Sequence, residues 1–189
     1  MDLTAKHLEQ AIIYSCEKHA GVIRKGNGKP YIMHPLSVMM KLSSVKSNTK
    51  NTYLLSISTL LHDVVEDCFS ENHKEGLDEI SKLFGFQVAS IVHELTSVKS
   101  EVKEQGKKEY LLNKMLKMSS YSLCIKLCDR LDNLNDMDSM SEEFITKAIT
   151  DTNFIINGLR EGRKLTKTHK KIISLIDATL YKYSRLLLK

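Results

Sequence analysis

Thr59-Leu60-Leu61-His62-Asp63-Val64-Val65-Glu66-Asp67-Cys68 decides how this chain is read. An apolar run leads into His62-Asp63, and Glu66-Asp67 follows within one helical turn. Residues three and four apart share a helix face. One continuous helix would therefore make neighbours of His62 and Glu66, of Asp63 and Asp67, and of Asp63 and Glu66. Four groups able to ligate a metal or move a proton then crowd the end of a greasy helix. Such crowding is costly unless a cation or a water-filled cleft takes up the charge. A short motif also matches helix ends that merely turn polar at the surface, so the rest of the chain has to decide.

Working outward, Leu54, Leu55, Ile57, Leu60, Leu61, Val64 and Val65 make residues 51–66 apolar nearly all round. The spacing predicts one helix there, buried by other helices. A polar cluster ending a buried helix is a site candidate rather than a solvated tip. Upstream, residues 3–20 carry an apolar stripe at helical spacing, with Gly26 as the expected stop. Residues 24–30 read as a turn-rich loop holding Arg24, Lys25 and Lys29 with two glycines. Glycine lets backbone approach a ligand and the cations neutralise phosphate; the plainer alternative is a solvated connector. Pro35 suits the first turn of a helix over 35–42, which sets His34 at its start. Residues 43–50 read as a connector, with Asn48 or Asn51 as cap of the next helix.

Downstream, a short helix over 77–84 stops at Gly85, and apolar spacing resumes over 86–95. Residues 96–106 are charged and read as an exposed loop, followed by an amphipathic helix over 107–118. His73 and His93 lack a second ligand-type residue at useful spacing and read as structural or solvent-facing. A second stretch then turns abruptly from apolar to charged: Ser122-Leu123-Cys124-Ile125-Lys126-Leu127-Cys128-Asp129-Arg130-Leu131-Asp132-Asn133-Leu134. Asp129 and Asn133 share a helix face there, while Cys124 and Cys128 read as small core residues. Ser139-Met140-Ser141-Glu142 resembles a capping box opening a helix that runs to about residue 160. A break at 161–164 precedes a last helix over 166–188. Lys164, Lys167, Lys170 and Lys171 have no stacking aromatics among them, so they read as a solvated helical face rather than a nucleic-acid surface.

No segment shows strand alternation. The expected fold class is all-α, a single helical-bundle domain over 1–189 with residues 141–189 as C-terminal helices packed on it. The chain has 189 residues, 42% hydrophobic and 27% charged, ordinary for a globular protein. Two prolines and eight glycines leave room for long helices. A net charge of +5 suits an anionic small ligand and does not demand nucleic acid. Cys16, Cys68, Cys124 and Cys128 form no C-x-x-C pair and read as free thiols. No apolar leader opens the chain, and no run approaches the roughly 18 residues of a membrane span. A cytoplasmic setting is expected.

Three separated stretches go from apolar to ligand-bearing: His34, His62-Asp63 and Asp129. Two imidazoles and two carboxylates suit a divalent ion such as manganese, with zinc open by ligand type. Glu66 and Asp67 beside that ion suit the holding of a water in line for attack.

Arg24-Lys25, Tyr31-Ile32-x-His34-Pro35, Leu60-Leu61-His62-Asp63-Val64-Val65-Glu66-Asp67 and Lys126-Leu127-x-Asp129-Arg130-Leu131-x-Asn133-Leu134 resemble the hydrolase motifs of the RelA/SpoT homologue family. That family belongs to the HD-domain metal phosphohydrolases. The resemblance runs from about residue 5 to 159, shows no synthetase domain, and is closest to the stand-alone small alarmone hydrolases. It implies an HD-domain bundle and removal of the 3′-pyrophosphate from guanosine tetra- or pentaphosphate (ppGpp or pppGpp), with one Mn2+ per site. It implies His34, His62, Asp63 and Asp129 as metal ligands, and Glu66 and Asp67 as the catalytic pair. Arg24 and Lys25 match residues of the base pocket, and Asn133 matches a ribose or phosphate contact.

Asp132, Asn135 and Asp136 depart from the residues usual in long family members. They leave open an adenine alarmone or another phosphorylated nucleotide such as NADPH, or a non-catalytic nucleotide-binding antitoxin or regulator. The implied partner is a small nucleotide, with no nucleic acid and no membrane; a homo-oligomer is left open.

Overall fold

A computed structural model describes residues 1–25, 28–46 and 50–187. Its described residues are helices and connecting turns, with an isolated antiparallel bridge between Ile23 and Pro30. The expectation of an all-α fold is met. Packing divides the chain into two compact units. The first holds Met1–Arg24 and Gly28–Ser97; the second takes Lys25 and residues 98–187.

The first unit contains α1 (Ala5–Lys18), α2 (Met33–Val45), α3 (Thr52–Leu60), α4 (Val64–Cys68), α5 (His73–Phe84) and α6 (Phe86–Leu95). Helices α1, α2 and α6 all pack on α3. Ile57, Leu60, Leu61, Val64 and Val65 are fully buried, so α3 and the start of α4 form the centre of this core. Each such side chain contributes about 1.5–3 kcal/mol by leaving water. Ala11, Tyr14 and Ser15 face the core from α1 at spacings of three and four, as an amphipathic helix requires. Gly85 has φ +88 and separates α5 from α6, as its position in the sequence predicts.

The second unit contains α7 (Lys99–Gln105), α8 (Lys107–Lys117), α9 (Ser120–Asn135), α10 (Glu142–Gly162) and α11 (Lys167–Leu186). Helix α9 packs on α11, and α10 packs on both α8 and α11. Leu123, Cys124, Ile125, Leu127 and Cys128 are buried, so the two thiols are core residues.

Several boundaries differ from the sequence reading. Helix α1 stops at Lys18 rather than reaching Gly26, because Gly21 at φ +74 already turns the chain. Helix α2 starts at Met33, which puts His34 inside its first turn. Residues 99–105, expected as loop, form the short helix α7. The cap of α10 is Ser141, whose hydroxyl accepts from the Phe144 N–H, rather than Ser139 pairing with Glu142. Asn51 occupies the N-cap position of α3 with no side-chain cap bond, while Asn48, Gly26 and Leu188 lie outside the described residues.

The correction with most consequence concerns the central stretch. It is not one helix over 51–66. Helix α3 ends at Leu60, residues 61–63 form a turn, and α4 restarts at Val64. A helix end leaves carbonyls without intrahelical partners. The Thr59 carbonyl accepts from the His62 ring, at 2.7 Å, and the Leu60 carbonyl from the buried Ser15 hydroxyl, at 2.9 Å. The break is thus satisfied by side chains of α1 and of the turn itself. Ser15→Ala leaves the Leu60 carbonyl buried without that donor. It is expected to cost about 1–3 kcal/mol, read as a lower urea midpoint at unchanged slope.

Candidate functional site

The turn between α3 and α4 directs two adjacent side chains to one place. His62 is buried, and its Nδ1 lies 2.7 Å from the Thr59 carbonyl. A carbonyl only accepts, so Nδ1 carries the hydrogen and Nε2 presents a lone pair. That Nε2 lies 2.9 Å from Asp63 Oδ2. The Nε2 of His34, also buried, lies 3.4 Å from the same oxygen. The Tyr31 hydroxyl donates to it at 2.7 Å. A lone pair facing a carboxylate at such range is stable only with positive charge between them, a proton or a metal ion. Two imidazole nitrogens and a carboxylate are the donors a borderline-to-hard divalent ion takes, so the residues fit such an ion.

The aromatic rings around this point are ordered in a row. His19 stacks on Tyr31 at 4.7 Å between centroids and 26° between planes. Tyr31 meets His34 edge-on at 5.7 Å, and His34 meets His62 at 5.2 Å. The chain reaches this arrangement through the Ile23–Pro30 bridge, with the Tyr31 N–H bonded to the Val22 carbonyl at 2.9 Å.

Glu66 and Asp67 lie on α4, one turn beyond, and their carboxylates have different holders. Glu66 Oε2 accepts from the Ser97 N–H at 2.9 Å, which fixes it against the end of α6. Asp67 is largely exposed, and its Oδ2 lies 3.7 Å from Nε2 of the buried His19. Arg24 is buried despite standing in a cationic loop, its backbone N–H bonded to the Lys29 carbonyl at 2.8 Å, whereas Lys25 is exposed.

In the second unit, α9 prepares Asp129. This carboxylate is buried; Oδ1 accepts from Asn133 Nδ2 at 2.6 Å, and Oδ2 lies 2.9 Å from Lys126 Nζ. The spacings of three and four on α9 make both contacts. Asn133, which the family resemblance implies as a substrate contact, here orients Asp129. Asp132 is buried beside it in sequence.

Sequence reasoning gave no role to His19, Tyr31, Lys126 or Ser97. Tyr31 and Lys126 stood within the quoted motifs, and a polar aromatic three residues before His34 was the available signal. His19 and Ser97 carry no local mark: only the packing of α1 and α6 brings them here.

His19 holds its proton unusually well. Burial of the ring works against its charge, but Asp67, the Cys68 sulfur and the Ser15 carbonyl outweigh that and push its pKa up from 6.5 to about 10. Between those two values the folded chain binds a proton that the unfolded chain has released. The stabilisation is therefore present in full below pH 6.5 and lost as pH rises through about 10. Urea midpoints measured from pH 6.5 to 10 are expected to fall, and Asp67→Asn is expected to flatten that slope.

A family model described as "HD domain" matches residues 11–159. Guanosine-3′,5′-bis(diphosphate) 3′-pyrophosphohydrolase MESH1 of Drosophila melanogaster is 35% identical over 135 residues, 71% of this chain and 70% of that protein. A GTP pyrophosphokinase of Myxococcus xanthus is 31% identical over 72% of this chain, and a guanosine-3′,5′-bis(diphosphate) 3′-pyrophosphohydrolase of Spiroplasma citri 33% over 75%. The chain spans only 18% of the length of each of these last two. A solved structure, described as a metazoan ortholog of SpoT that hydrolyzes ppGpp, superposes with a TM-score of 0.75. It does so over 94% of this chain and 98% of that one at 24% identity, a likeness of fold. With that family model covering residues 11–159, the chain belongs to the HD-domain family.

Proposed function

We propose that this protein is a divalent-metal-dependent pyrophosphohydrolase that removes the 3′-pyrophosphate of ppGpp and pppGpp, leaving GDP or GTP. The observation that carries this reading is the convergence of His34 Nε2 and His62 Nε2 on one oxygen of Asp63. The names of the Drosophila and Spiroplasma relatives support the substrate.

By the family resemblance His34, His62, Asp63 and Asp129 would be the metal ligands, and Mn2+ suits such donors. His34, His62 and Asp129 are buried donors of the kind such an ion takes. When bound, a divalent cation lowers the pKa of water from about 15.7 toward about 7 and draws charge off phosphoryl oxygens. The chain's own residues do the rest. Glu66, anchored by the Ser97 N–H, takes the proton of the attacking water. Asp67 holds that water in line. Attack on phosphorus breaks its bond to the ribose 3′-oxygen, which takes up a proton as pyrophosphate leaves. Arg24 and Lys25 would line the base pocket and offset substrate charge, with Arg24 stacking on the ring. Asn133 would act through Asp129 as much as by touching the ribose. A cytoplasmic enzyme acting on a free nucleotide, within a stringent response, fits a chain in which no described helix is long and apolar enough to cross a membrane.

A second reading has a specific observation behind it. Asp132 is a buried carboxylate, and a carboxylate near a nucleotide's edge would alter the choice of base or phosphate. That reading predicts orthophosphate from a nucleotide such as NADPH.

The test is a panel of phosphorylated nucleotides incubated with purified protein and Mn2+, products separated by anion exchange. Pyrophosphate with GDP from ppGpp is expected, lost on chelation and on Asp63→Ala. Glu66→Gln is expected to lower kcat by roughly 10²–10⁴-fold. Untouched ppGpp, or orthophosphate from another nucleotide, would overturn the assignment.

A further inference from the structure

We propose that His19 is a positioning residue for the reaction, acting on Asp67 through its ring nitrogen and on Asp63 through its ring face. The inference rests on the reading of Asp63 as a ligand and Asp67 as a catalytic group.

His19 closes α1 and is all but inaccessible to solvent, at 4% exposure. Its Nδ1 lies 3.0 Å from the Ser15 carbonyl, one turn back. The carbonyl accepts, so Nδ1 carries a hydrogen and the ring plane is set by the helix it ends. Ser15 in turn donates to Leu60 at 2.9 Å, tying that turn of α1 to the end of α3 next to His62. The ring is thus oriented from the same helix break that orients the metal ligand.

Two arms leave the oriented ring. Nε2 aims at Asp67 Oδ2, 3.7 Å away. This buried nitrogen has no partner within hydrogen-bond distance among the described residues, and Asp67, with the Cys68 sulfur, is what it faces. Asp67 stands on a five-residue helix with 44% of its side chain exposed, so little besides His19 restricts its rotamer. A carboxylate free to rotate in water loses the preorganisation that in-line attack needs. The second arm is the stack of the His19 face on Tyr31 at 4.7 Å. Tyr31 is gripped between this face and the edge of His34, and its hydroxyl donates to Asp63 Oδ2 at 2.7 Å. Partners that hold a metal ligand in place govern metal affinity and activity by roughly 10–100-fold.

The two arms separate by substitution. His19→Phe keeps a flat ring against Tyr31 and removes the nitrogen facing Asp67; His19→Ala removes both. For His19→Phe, kcat is expected to fall roughly 10–100-fold, with KM and the Mn2+ dissociation constant within about twofold. For His19→Ala, Mn2+ affinity measured by calorimetry is expected to weaken as well, toward the affinity of Tyr31→Phe. Circular dichroism melts give the folded fraction to which each value is normalised. His19→Asn, which returns an N–H donor without the ring, replaces His19→Phe if the latter does not fold, and is expected to lose affinity but retain more kcat than alanine. A purely structural His19 would lower the folded fraction alone. Unchanged kcat in His19→Phe or His19→Asn per folded molecule overturns the Asp67 arm, and unchanged Mn2+ affinity in His19→Ala overturns the Tyr31 arm. Inactive wild-type protein would instead refute the substrate assignment, and the calorimetric arm still reads out.

Discussion

One carboxylate oxygen organises the first unit. Asp63 Oδ2 receives the Tyr31 hydroxyl at 2.7 Å and faces His62 at 2.9 Å and His34 at 3.4 Å. Successive residues of a helix point about 100° apart, so His62 and Asp63 cannot address one point from a regular helix. The turn over residues 61–63 removes that restriction. It also places Asp63 at the start of α4 and leaves Glu66 and Asp67 in that helix's first turn, where acidic groups are favoured by the helix dipole.

The break in α3 is sustained by what flanks it. Leu60 and Leu61 on one side, and Val64 and Val65 on the other, are fully buried in one core cluster. Shifting the turn by a residue would rotate some of these four side chains out of that cluster, at about 1.5–3 kcal/mol each. The carbonyls that the break releases go to Ser15 and His62. Apolar burial therefore chooses where the helix stops, and two polar side chains make that stopping point tolerable. The site geometry is a consequence of core packing rather than a feature added to it.

This explains which parts of the molecule were legible in the amino-acid order. Apolar spacing at three and four reports burial directly, so the all-α class and most helices followed from it. Gly85 reports its positive φ just as directly. The ligand-type residues His34, His62, Asp63 and Asp129 were visible because ionisable groups rarely follow long apolar runs without a reason. The turn at 61–63 was not visible: Leu61, His62 and Asp63 contain neither glycine nor proline, and their local pattern continues a helix. What favours the break is tertiary: the burial of the flanking side chains and the bond from Ser15, 45 residues away. Helix α7 was missed for the opposite reason. It buries no residue, and Val102 alone among its seven residues gives no apolar spacing to read. His19 escaped because its partners, Tyr31 and Asp67, are 12 and 48 positions distant.

The two units hold their buried polar groups by different electrostatic means. In the first, acceptors face one another: two imidazole nitrogens and a carboxylate, arranged so that positive charge is wanted between them. In the second, Asp129 already has a cation, Lys126 at 2.9 Å, and an amide donor, Asn133 at 2.6 Å. A buried carboxylate stripped of such partners would resist ionisation or swing toward solvent. Lys126 and Asn133 hold Asp129 against α9 from the same helix face. The demand for a cation in the first unit thus resides in the His34–His62–Asp63 group, whereas in the second Lys126 already answers Asp129.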